Sequence, residues 1–69
     1  MVTCTKFDKG SRYGEFYIDT VSELSDLPNM TDHGKNNLKN SCPIIAGSTA
    51  LCKNGDVYIL DGTNTWVKL

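Results

Sequence analysis

Residues 48–69, STALCKNGDVYILDGTNTWVKL, alternate apolar and polar side chains around two glycine-bearing turns, and this ribbon constrains the fold more than any other part of the chain. Asn54-Gly55 between alternating runs is a strong hairpin signal, because a two-residue type I′ turn needs positive φ at both central positions. Such a loop predicts the pairs Lys53–Asp56, Cys52–Val57, Leu51–Tyr58, Ala50–Ile59 and Thr49–Leu60. Lys53 opposite Asp56 adds a favourable charge pair. Read as a four-residue loop, DGTN sets Leu60 against Thr65, Ile59 against Trp66 and Tyr58 against Val67. The expected unit is a three-stranded antiparallel meander.

In that register one face carries Ala50, Cys52, Val57, Ile59 and Trp66. The other carries Leu51, Tyr58, Leu60, Val67 and Leu69. A sheet with one wet side alternates apolar and polar residues, so a ribbon apolar on both faces needs a second cover. Two explanations fit. The N-terminal strands and a short helix cover one face while CPIIAG folds over part of the other, or the second face packs on a neighbouring subunit. The candidate interface residues are Tyr58, Leu60 and Val67, extended by Tyr13 and Tyr17. Trp66 and Ile59 are assigned to the core.

The 69-residue chain makes one small domain, near the size at which a lone hydrophobic core is marginal. Chains this short gain margin from disulfides, a metal or association. The expected layout is N-terminal strands over 1–19, a short helix over 20–28, an irregular stretch over 29–47 and the meander over 48–69. The segment VTCTKF reads as an edge strand and DKGSR as a turn. In YGEFYID, Phe16 and Ile18 share one face, and Tyr13, Glu15 and Tyr17 the other. Thr20 and Glu23 fit a capping box that starts a helix with Val21 and Leu24 on one side. Leu27-Pro28 ends it, since proline disfavours helical geometry in the residue before it. In the polar middle, Met30 and Leu38 are the apolar anchors, and Ile44 and Ile45 are assigned to the core. The fold class is mainly β with a short helix, a small α+β domain.

The formal net charge of −1 supplies no basic field for nucleic acid or an anionic membrane surface. No apolar run approaches the roughly 20 residues that span a bilayer. MVTCTKFDKG lacks the basic start and apolar stretch of a signal peptide, so retention in the cytoplasm is the expectation. Cys4, Cys42 and Cys52 are widely spaced, and the single histidine, His33, stands apart from them, so no metal-ligand pairing of the usual kind occurs. A Cys42–Cys52 or Cys4–Cys52 disulfide is open only to an oxidising medium, and small buried thiols are the expected state.

Catalytic patterns fail on their own terms. Asp19, Glu23 and Asp26 are spaced for a helix start rather than for a general acid–base pair. No cysteine or serine stands beside a base. GSTA at Gly47 precedes a strand, whereas a phosphate loop precedes a helix. The sequon NMT at Asn29 has no meaning without secretion. The aromatic residues could stack on bases or sugars, but without a basic groove they belong to core or interface. No catalytic, cofactor-binding or metal-ligating residue is assigned, and the chain is not expected to be an enzyme.

YIDTVSELSDLPNMTDHGK followed by CPIIAGSTALCKNGDVYILDGTNTWVKL resembles small proteins encoded among the virion genes of tailed bacteriophages and of prophages of Gram-positive and gut bacteria. The shared features are Asp19-Thr20 before Leu24 to Pro28, then Gly47 to Ala50, Val57 to Gly62, and Trp66 to Leu69. The likeness covers roughly residues 13 to 69. It implies a non-enzymatic virion component, a head-decorating, fibre-attaching or tail accessory protein assembled in the host cytoplasm. Its implied partners are capsid or tail proteins and further copies of itself through the ribbon, without cofactor, nucleic acid or membrane. No binding residue is carried over from the family. The alternative is a small phage-encoded effector that binds and inhibits a host protein.

Overall fold

The alternation at Tyr13–Ile18 and along the ribbon is realised as strands of one sheet. The structure, a computed structural model, describes residues 1–32 and 43–69. Its elements are β1 (Thr3–Asp8), β2 (Tyr13–Ile18), a 3-10 helix (Val21–Asp26), β3 (Thr49–Cys52), β4 (Val57–Leu60) and β5 (Trp66–Lys68). The strands form a five-stranded sheet in the order β1-β2-β3-β4-β5. Neighbours run antiparallel except β2 and β3, which are parallel. The mainly β class with a short helix is the one expected from the sequence.

The N-terminal strands extend this sheet rather than lying over one of its faces. The parallel β2–β3 pair requires a crossover, and residues 19–48 supply it. β1 is exposed along nearly its whole length and forms one edge. Its register shifts between Cys4 and Lys6, a β-bulge at Thr5, whose hydroxyl donates to the Glu15 carbonyl at 3.1 Å. A bulge of this kind makes an edge strand a poor template for pairing with another chain. The β1–β2 loop is locked by Asp8, whose carboxylate accepts from the Gly10 amide (2.9 Å) and the Ser11 hydroxyl (3.1 Å). Those bonds, the Gly10 amide first, hold the Asp8 carboxyl below its ordinary pKa.

Both turns of the ribbon are three-residue loops, and this shifts each pairing by one residue from the sequence expectation. Cys52 pairs with Asp56: its amide donates to the Asp56 carbonyl at 2.8 Å, and the Gly55 amide donates back to the Cys52 carbonyl at 2.9 Å. Gly55 has φ +98°, whereas Asn54 is not in the left-handed region, so the type I′ condition is unmet. A turn followed by one left-handed residue is among the next most common hairpin connections after the two-residue loops. Asn54 contributes through its side chain, which accepts from the Asp56 amide at 2.9 Å. In the second loop Asn64 is the left-handed residue (φ 65°), and the Asp61 amide donates to the Thr65 carbonyl at 2.9 Å. Asp61 Oδ1 also takes the Thr63 hydroxyl and the amides of Thr63 and Thr65. The Thr63 hydroxyl, then the Thr65 amide, keep the Asp61 carboxyl below its usual value. The observed pairs are Thr49–Ile59, Ala50–Tyr58 and Leu51–Val57, then Tyr58–Lys68, Ile59–Val67 and Leu60–Trp66.

One sheet face closes the core. Phe16, Ile18, Ala50, Cys52, Tyr58 and Leu60 point into it, covered by Leu27 and Ile44, with Leu24, Met30 and Trp66 packed around them. Phe16 and Trp66 meet edge to face, with centroids 6.4 Å apart. Glu23 accepts from the amides of Thr20 (3.0 Å) and Asp19 (2.8 Å), so the helix start is capped as expected. Leu27 is extended (ψ 152°) before Pro28. Leu24 packs on the core, whereas Val21, the first residue of the helix, stays exposed. Ile44 is buried whereas Ile45 is exposed, a correction to their joint assignment. Ser48, fully buried, accepts from the Gly14 amide at 3.1 Å and donates to the Ile45 carbonyl at 2.7 Å, joining the crossover to β2. Asn64 Oδ1 takes the Met30 amide at 2.9 Å and ties the second turn to the same layer.

Cys4 and Cys52 are free thiols, the first exposed and the second buried. They lie opposite Phe16 and Ile18, on strands separated by β2. Two inter-strand spacings, about 9–10 Å, exceed the ~7 Å that a disulfide can bridge between Cα atoms. Cys42, His33 and Leu38 lie outside the described residues.

Candidate functional site

The second face of the sheet is the candidate site. Register determines its membership, because side chains directly opposite each other project to the same side. One row runs Glu15–Thr49–Ile59–Val67 across β2 to β5. The next runs Tyr17–Leu51–Val57 and ends at Leu69, whose amide donates to the Val57 carbonyl at 2.8 Å. Tyr13 extends the face toward β1, where Asp8 lies opposite it and Lys6 lies opposite Glu15.

Among the described residues the crossover, the helix and Ile44 all pack on the core face, and no element covers this one. Leu51 is 45% exposed, Val67 42% and Leu69 74%, while Tyr13, Tyr17, Val57 and Ile59 are half-buried. Single exposed leucines are ordinary on a protein surface. Seven large apolar or aromatic side chains sharing one pleated surface form a continuous patch of the kind that marks an interaction site.

Of the five candidate residues, the structure places three together and removes two. Val67, Tyr13 and Tyr17 lie on the open face. Tyr58 and Leu60 are 7% and 1% exposed and belong to the core, so they offer no surface to a partner. The one-residue shift of each turn accounts for this, since with a side-chain period of two it exchanges the faces of β4 relative to β3. For the same reason Ile59, assigned to the core, lies outside, whereas Trp66 does pack against the core. Leu51, Val57, Ile59 and Leu69 join the patch without having been singled out. The signal that would have found them is the KNGD turn itself, which suits a three-residue loop with Gly55 in the left-handed position.

The face has little polar chemistry. The Tyr13 hydroxyl donates to Glu15 Oε2 at 2.8 Å and stands 3.4 Å from the Thr49 hydroxyl. Its charges, Lys6, Asp8 and Glu15, lie on β1 and β2, and the strands β3, β4 and β5 present none to it. Among the described residues no group of three or more histidine, cysteine or acidic side chains could hold a metal ion. The arrangement suits a dry contact with an apolar centre and polar margin. No protein-family model matches the chain, and no curated protein or solved structure is found to be similar to it.

Proposed function

We propose that the chain is a non-enzymatic accessory component of a tailed-phage particle, a decoration or fibre-attachment protein that joins a lattice of capsid or tail subunits and also self-associates. The observation that carries the interaction role is the apolar sheet face that none of the described residues covers, beside an already closed core. The phage setting rests on the sequence resemblance, from Asp19-Thr20 through the terminal Trp66–Leu69. Such a protein acts by binding, needs no cofactor and leaves no reaction product.

Quantitative mass spectrometry of purified particles tests this reading. The chain is expected at many copies per particle, in fixed ratio to the major capsid or tail subunit. Absence from purified particles, together with expression early in infection and recovery with a host protein, would reject it in favour of a host-directed effector.

A further inference from the structure

We propose that Asn54 is a site of spontaneous deamidation in the folded chain, and that its isoaspartate product loosens the turn that sets the β3–β4 register. This is covalent chemistry of the chain itself, with water as the co-reactant, and it stands apart from any partner of the open face. Asn54 and Gly55 are both exposed at the tip of the turn. A Cβ built on Gly55 would meet nothing within 4 Å, so the amide nitrogen that follows Asn54 is unshielded. Asn54 Oδ1 accepts from the Asp56 amide at 2.9 Å. That bond folds the side-chain amide back along the following backbone and draws electron density from Cγ, the atom to be attacked. The Gly55 nitrogen gives its proton to hydroxide and attacks Asn54 Cγ. The N–Cγ bond forms, the Cγ–Nδ2 bond breaks, and the leaving nitrogen takes a proton from water and departs as ammonia. Water then opens the cyclic imide at either carbonyl, leaving aspartate or isoaspartate at this position.

Folding restrains this step chiefly through the Gly55 amide, which donates to the Cys52 carbonyl at 2.9 Å. A single hydrogen bond of this kind shifts an equilibrium by about tenfold at most, and an exposed turn opens locally without global unfolding. The other asparagines among the described residues, Asn29 and Asn64, are held differently. The amide after Asn29, that of Met30, donates to Asn64 Oδ1 at 2.9 Å in a part-buried bond. The amide after Asn64, that of Thr65, donates to the Asp61 carboxylate at 3.0 Å, and its branched Cβ crowds the nitrogen. Asp61-Gly62 repeats the same spacing in the second turn, but the donors on Asp61 favour its ionised form, a poor electrophile. The two products differ in what they do to the turn. Aspartate still presents an oxygen to the Asp56 amide. Isoaspartate routes the main chain through the former side chain, so the path from Cys52 to Asp56 gains a methylene and the Gly55–Cys52 bond no longer closes the same ring.

Peptide mapping by mass spectrometry tests the site, on the full chain aged at mildly alkaline pH with and without urea. Conversion at Asn54 is expected in the native chain, at a rate within about tenfold of that in urea, with isoaspartate confirmed by enzymatic methyl labelling. Asn29 and Asn64 should stay unconverted in the native chain. Asn54→Gln, which cannot form the same small ring, should abolish conversion at this position while leaving circular dichroism unchanged. A native chain that stays unconverted at Asn54, or that converts Asn64 as fast, would overturn the site. The separated products test the consequence. The isoaspartate form should unfold at lower urea and exchange its Gly55 and Asp56 amides faster, on the order of tenfold for a lost hydrogen bond. The aspartate form should match the unmodified chain in both. Equal midpoints and equal exchange in all three forms would overturn the loosening of the turn.

Discussion

Leu60→Ala is expected to cost about 2–5 kcal/mol of folding stability, the range for deleting a buried leucine side chain. Leu60 is 1% exposed and sits on the core face of β4, opposite Trp66. A domain of this length has a total stability of about 3–10 kcal/mol at typical per-residue values, so the loss would be about a fifth of it or more. Leu51→Ala, on the strand beside it but facing outward, should cost under about 1 kcal/mol, as surface changes usually do. Urea unfolding of both variants, at concentrations where the chain is monomeric, checks the contrast. Equal shifts of the two midpoints would mean that the faces have been exchanged.

Gly14→Ala is the second large effect, and its cause is a single ring. A Cβ at Gly14 would lie 2.8 Å from Phe16 Cε2 and 2.9 Å from Cζ, well inside contact distance. The ring folds back over Gly14 on the core face and meets Trp66 edge to face. Phe16 is buried, so moving the ring aside disturbs the packed cluster. Overpacking of this kind costs about 1–3 kcal/mol. The reduced freedom of the unfolded chain returns only about 0.4–1 kcal/mol. The net expectation is destabilisation by about 1 kcal/mol, the difference between the midpoints of those two terms. A double-mutant cycle isolates the cause: in a Phe16→Leu background the alanine should cost little or become neutral. The same cost in both backgrounds would show that the ring is not what Gly14 makes room for.

Local signals were legible where local physics decides them. The alternation at Tyr13–Ile18 gave the buried pair Phe16 and Ile18. The Thr20–Glu23 cap and the Leu27-Pro28 stop delimited the helix because capping and proline sterics act within a few residues. The parallel β2–β3 pairing was not legible, since it joins segments some thirty residues apart and leaves no mark in either strand's alternation. Gly14 and Ser48 were opaque for the same reason: the bond between them forms only once the crossover has brought β3 beside β2. The site was half legible. That the ribbon is apolar on both sides followed from composition at alternating positions. Which residues make the open side depended on one residue of loop length at Asn54-Gly55 and again at Gly62–Asn64. Each turn sequence satisfies more than one loop, and the choice exchanges Tyr58 and Leu60 for Val57 and Ile59.

The register of β3 and β4 therefore carries the whole account of core, open face and partner. Nuclear Overhauser contacts between α-protons measure it in solution, since non-hydrogen-bonded antiparallel pairs bring their Cα atoms to about 4.5 Å. The bonds from the Cys52 amide to Asp56 and from the Leu60 amide to Ser48 make Leu51–Val57 and Thr49–Ile59 the close pairs. Strong α–α contacts for those two pairs are the expected result. Contacts between Cys52 and Val57 and between Ala50 and Ile59 would instead establish the two-residue turn, return Tyr58 and Leu60 to the outer face and contradict the structure described.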